Sequence, residues 1–92
     1  MYTRMTTVCN PTGLHARPAT EFVNRAKQYK SRITICNPQE EPADTVNAKS
    51  VVLVLSLGLA KGSQVEITAQ GEDEQQAVDE LIGLLESGFG EL

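Results

Sequence analysis

The segment Gln64-Val65-Glu66-Ile67-Thr68-Ala69-Gln70 alternates polar and apolar residues without a break. A side-chain period of two puts Val65, Ile67 and Ala69 on one face of a strand, and another layer must cover that face. Arg32-Ile33-Thr34-Ile35-Cys36 repeats the pattern through Ile33 and Ile35, so the chain builds a half-buried sheet. The covering layer is readable too. Ala19, Phe22, Val23 and Ala26 recur at helical spacing, which predicts a helix from near Ala16 to near Lys27. Ala77, Val78, Leu81, Ile82 and Leu85 form a second stripe, and Asp73 with Gln76 has the spacing of a capping box at its start. The acids Glu72, Asp73 and Glu74 suit the positive end of that helix dipole. Ser87-Gly88 stops the helix and leaves Phe89-Gly90-Glu91-Leu92 as a tail.

The remaining segments complete the frame. Tyr2 to Cys9 reads as a first strand, with Tyr2, Arg4, Thr6 and Val8 on one face, closed by Asn10-Pro11. Asn37-Pro38-Gln39-Glu40-Glu41-Pro42 is a loop, because two prolines and adjacent acids leave no room for a ladder. A short third strand is expected around Asp44 to Asn47. The run Val51-Val52-Leu53-Val54-Leu55 has the composition of a buried strand, yet Ser50 is a good N-cap and Gly58 suits a helix end. Pattern leaves both readings open there. Strands with helices on one face give a two-layer α+β domain, and the sheet can be antiparallel throughout.

At 92 residues and 40% hydrophobic content the chain is expected to form one domain, residues 1–92. A net charge of −4 argues against nucleic acid or an anionic membrane as partner. No apolar run is long enough to span a bilayer, and Met1-Tyr2-Thr3-Arg4 opens no apolar signal region, so a cytoplasmic location is expected. Cys9 and Cys36 suggest no disulfide framework, and with a single histidine they make no four-ligand zinc site. Neither a metal nor a cofactor is expected.

That single histidine lies in Gly13-Leu14-His15-Ala16-Arg17-Pro18-Ala19, where a turn becomes a helix. Pro18 is tolerated in the first turn because its missing N–H would have no intrahelical partner. His15 therefore falls at or beside the N-cap, facing free backbone N–H groups, with Arg17 close by. Exposed N–H groups at a helix start bind phosphate, and a guanidinium adds paired hydrogen bonds to the same oxygens. The positive field there disfavours imidazolium and leaves the ring a lone pair for attack on phosphorus. Local chemistry admits both a phosphate nucleophile and a histidine that merely caps a helix.

The Gly13–Ala19 stretch resembles the phosphorylation-site motif of the histidine-containing phosphocarrier (HPr) family of the bacterial phosphotransferase system. Lys49-Ser50 with Ser56-Leu57-Gly58 is similar to that family's regulatory-serine region, and Ala60-Lys61-Gly62 and Gly71-Glu72-Asp73-Glu74-Gln75 match in order and spacing. The resemblance implies an open-faced sandwich: a four-stranded antiparallel sheet, order 1-4-2-3, with three helices on one face. It thereby makes the Val51–Leu55 run a short helix. It also implies a carrier of phosphoryl groups for sugar transport, not a turnover enzyme. Enzyme I, charged by phosphoenolpyruvate, would phosphorylate Nδ1 of His15, and EIIA domains of sugar permeases would receive the group. Arg17 would assist, with Gly13, Ala16 and Pro18 shaping the helix start. Val51, Val52 and Leu55, with Phe22 or its neighbours, would form the docking patch. Ser50 would be a target of HPr kinase/phosphorylase in one branch of the family, or a plain N-cap. A monomer is the simplest expectation.

Three features depart from the family pattern. Leu53 stands where a small or polar residue is usual, and the Asn37–Pro42 loop is several residues longer. The ending Glu86-Ser87-Gly88-Phe89-Gly90 resembles the nitrogen-related branch, NPr.

Overall fold

The computed structural model describes residues 1–40 and 44–91. Its elements are β1 (Tyr2–Thr7), α1 (Ala16–Ala26), β2 (Arg32–Cys36), β3 (Val46–Asn47), α2 (Val51–Ser56), β4 (Gln64–Gln70) and α3 (Glu74–Glu86). A 3-10 turn, Gly88–Gly90, follows. The four strands form one sheet in the order β1-β4-β2-β3, antiparallel at every pairing. The alternation in β4 sets the register. Ile67 lies opposite Ile35 on one side and Arg4 on the other, so the apolar faces of β2 and β4 coincide.

The helical stripes cover that face. Ala19, Phe22, Val23 and Ala26 of α1 join Ala77, Val78, Leu81, Ile82 and Leu85 of α3 in one core with Ile33, Ile35, Val65, Ile67 and Ala69. Each large side chain so buried contributes about 1.5–3 kcal/mol from removal of apolar surface. On β1 the same face carries Tyr2, Arg4 and Thr6, which are tied to α3 by hydrogen bonds: Tyr2 and Arg4 donate to Asp79 Oδ1 at 2.9 and 3.0 Å, and Thr6 to Glu86 at 3.1 Å. At the other end of α1, the Tyr29 hydroxyl donates to Glu80 of α3, and burial pushes this phenol up to about 12.

Four local expectations are corrected. β1 ends at Thr7 rather than Cys9, because the N–H and carbonyl of Val8 bond Ser63 and Gly62 in the turn before β4. β3 starts at Val46 rather than Asp44, since β2 ends at Cys36 and only Ile35 and Thr34 pair with it, opposite Val46 and Asn47. Asn47 then turns the chain, its Oδ1 accepting from the Lys49 N–H at 2.9 Å and its carbonyl from the Ser50 N–H at 3.1 Å. Asp73 is the N-cap of α3 but makes no capping bond to its own helix. Its carboxylate accepts instead from the N–H groups of Lys30 and Ser31 at 2.9 and 3.0 Å and from the Ser31 hydroxyl, which holds it below the usual carboxylate range. The tail is ordered into the 3-10 turn, with Phe89 at φ +54°. Glu41 and Pro42 of the expected loop, and Leu92, lie outside the described residues.

The Val51–Leu55 run is helical. Ser50 Oγ accepts from the Leu53 N–H at 3.3 Å, and Gly58, at φ +60°, follows the last turn. No helix among the described residues is long and apolar enough to cross a membrane.

Candidate functional site

The site is a surface loop end, built by the tight turn Asn10–Gly13. The Gly13 N–H returns to the Asn10 carbonyl at 3.1 Å, and buried Asn10 donates from Nδ2 to the Gly13 carbonyl at 2.9 Å. Gly13 has φ +70°, and its Cα lies so close to the segment after α2 that a Cβ would overlap the Leu59 carbonyl and sit 2.8 Å from Ala60 Cα. Leu14 is fully buried, and its N–H donates to the Leu59 carbonyl at 2.8 Å. The loop is thus clamped against the far end of α2.

His15 emerges from this clamp. Its backbone is extended (φ −130°, ψ 161°), it occupies the N-cap of α1, and its ring makes no capping hydrogen bond. The side chain is exposed. Ala16 follows in the left-handed region at φ +51°, so the right-handed turns begin at Arg17. That conformation costs an alanine about 1 kcal/mol, and the flanking anchors, buried Leu14 and buried Pro18, hold it in place. The orphan N–H groups of the first turn stay at the surface beside His15. Arg17 is exposed and makes no ion pair or side-chain hydrogen bond among the described residues. A phosphoryl group on the ring would meet positive charge from the helix start and from an uncommitted guanidinium.

The structure brings this loop and α2 to neighbouring positions. α2 packs on α1, and of its apolar residues only Val54 enters the core. Val51, Val52, Leu53 and Leu55 remain outside, Val52 at 72% exposure. Four exposed apolar side chains on one short helix form a contiguous apolar surface of the kind that marks interaction sites. Phe22 is not part of it. Its ring is fully buried under α1, as the helical stripe that contains it requires.

Ser50 caps α2 and is half-buried. Its neighbour Lys49 is committed elsewhere, with Nζ donating to the Tyr29 carbonyl at 2.7 Å. Sequence reasoning missed two features of the site, the left-handed Ala16 and a carboxylate from Glu91. The latter accepts hydrogen bonds from Asn10 and Thr12.

The family described as "PTS HPr component phosphorylation site" matches residues 2–87. The phosphocarrier protein HPr of Haemophilus influenzae is 39% identical over 85 residues, covering 92% of this chain and 95% of its own. A multiphosphoryl transfer protein of the same organism is 39% identical over 92% of this chain but only 17% of its own length. One from Salmonella typhimurium is 42% identical over 22% of its length, so the chain spans about a fifth of these larger relatives. The crystal structure of an HPr from Thermoanaerobacter tengcongensis superposes with a TM-score of 0.91 at 40% identity, covering 100% of this chain and 99% of that one.

Proposed function

The chain belongs to the HPr phosphocarrier family of the phosphotransferase system, and on that premise we propose that His15 is its phosphoryl acceptor. The family is one of carriers rather than turnover enzymes. Enzyme I, charged by phosphoenolpyruvate, supplies the group, and EIIA domains of sugar permeases take it on. The carrier works in the cytoplasm.

The observation that carries this reading is an exposed imidazole at a helix start with an exposed guanidinium two residues on, neither side chain hydrogen-bonded or ion-paired among the described residues. The Nδ1 lone pair attacks phosphorus. The N–P bond forms as the donor's bond to phosphorus breaks, and the donor keeps that electron pair. Positioning and charge stabilisation are the main requirements of such a transfer. Arg17 and the first-turn N–H groups supply the charge without a metal. Exposure matters equally, because the group must leave again for a second partner, and over-stabilisation would trap it. The apolar face of α2 (Val51, Val52 and Leu55, with Leu53) supports a docking role next to the acceptor.

The test is transfer itself. Incubated with phosphoenolpyruvate and sugar-type Enzyme I, the chain should gain acid-labile phosphate that drains when an EIIA domain is added. The absence of such label contradicts the proposal. Faster charging by nitrogen-type Enzyme I would place the chain in the regulatory NPr branch, a reading favoured by the Glu86–Gly90 ending.

Ser50 has a place in the same scheme. A phosphate on its Oγ would gain from the α2 dipole while adding negative charge beside the apolar patch. HPr kinase/phosphorylase with ATP should then give acid-stable phosphate that is lost in Ser50→Ala. No label would leave Ser50 as an N-cap, whose removal costs about 1 kcal/mol in a denaturant titration.

A further inference from the structure

One contact at the site has no part in the relay chemistry. Glu91, beyond α3 and the 3-10 turn, sets its carboxylate on the loop that carries His15. Oε1 accepts from Thr12 Oγ1 at 2.9 Å, from Asn10 Nδ2 at 3.0 Å and from the Thr12 N–H at 3.3 Å, and Oε2 accepts from Thr12 Oγ1 at 2.9 Å. The donor of the second bond is the same Asn10 Nδ2 that holds the Gly13 carbonyl. A continuous chain of contacts therefore runs from Glu91 through Asn10 to Gly13 and on to His15. Among the described residues no cation pairs with Glu91. Neutral donors alone, Asn10 first and Thr12 next, hold its carboxyl below the usual range.

We propose that Glu91 is a positioning residue for phosphoryl transfer, which fixes the Asn10–Gly13 turn and through it the ring of His15. It does not touch the phosphoryl group. It lies outside the buried core. Glu91 is exposed, and the loop keeps its core anchor through buried Leu14 and the Leu14–Leu59 bond when the carboxylate is gone. What Glu91 adds is definition of the turn, and transfer is sensitive to misplacement of the nucleophile. The inference rests on His15 being the acceptor.

The experiment is single-turnover charging by phosphoenolpyruvate-loaded Enzyme I at increasing Enzyme I concentration. Glu91→Ala should lower the saturating rate roughly tenfold. The half-saturating Enzyme I concentration should stay unchanged, and the melting temperature should fall by no more than about 5 °C, the cost of a few exposed hydrogen bonds. Glu91→Gln, which keeps an oxygen for the Asn10 and Thr12 donors, should retain most of the rate. Thr12→Val combined with Glu91→Ala should be no slower than the slower single variant, since both break one network. An unaltered or faster Glu91→Ala overturns the proposal, as does a rate loss that merely follows a fall in melting temperature. A wild-type chain that takes no phosphate strikes the relay reading itself, whereas a charged wild type with an indifferent Glu91→Ala strikes only the positioning role.

Discussion

His15→Ala is expected to take up no phosphate from charged Enzyme I while folding as well as the parent chain. The two halves of this result test different things. Loss of labelling follows from removing the one imidazole in the sequence, with no second nucleophile beside it to substitute. Retained stability follows from the geometry: the ring is exposed and makes no capping bond, so its removal should change unfolding free energy by no more than about 0.5 kcal/mol. A histidine that served only as a helix cap would behave differently, with about 1 kcal/mol lost on substitution and no acid-labile label on the parent chain to lose. Charging and denaturant titration on one pair of proteins therefore separate the two roles.

Gly13→Ala should be the most damaging small substitution near the site. Two costs combine there. The left-handed backbone, φ +70°, costs an alanine about 1 kcal/mol. The new methyl would also overlap the Leu59 carbonyl and press on Ala60 Cα at 2.8 Å, and these backbone atoms cannot rotate away. Relief requires the loop to retreat from α2, which breaks the Leu14–Leu59 bond and opens the core at Leu14. The expected loss is about 2–4 kcal/mol, or a melting point lower by roughly 10–20 °C, with charging slowed as well. Gly62→Ala is the control. Its φ of +92° imposes strain, but open space surrounds the added methyl, so the cost should stay near 1 kcal/mol. Equal losses at both positions would mean that close approach to α2 is not what makes Gly13 necessary.

The fold was legible wherever burial is periodic. Ile33, Ile35, Val65, Ile67 and Ala69 alternate in sequence and are all buried in the structure, and the same holds for both helical stripes. Val51–Leu55 carried no such signal. Only Val54 enters the core, so the run shows neither period, and its β-branched composition pulls against the cap at Ser50. Resemblance to a family, rather than pattern, made it a helix. The position of His15 at a helix start was readable from Pro18 and the turn-formers before it. The left-handed Ala16 was not, because alanine carries no local preference for that region. Contacts between distant segments were equally silent. Asp73 has the spacing of a cap, but the partner that claims its carboxylate is Ser31. Glu91 sits in a glycine-rich ending with no period, and its partners Asn10 and Thr12 lie at the opposite end of the chain. Local pattern predicts elements and their caps; it does not report which carboxylate closes which turn.

The central claim is that one imidazole nitrogen of His15 carries a phosphoryl group in transit. Phosphorus and nitrogen NMR of the chain charged by phosphoenolpyruvate and Enzyme I tests it most directly. The predicted result is a single phosphorus resonance coupled to Nδ1 of His15, lost on acid treatment and on addition of an EIIA domain. A resonance from an acid-stable phosphate ester, or none at all, would contradict it.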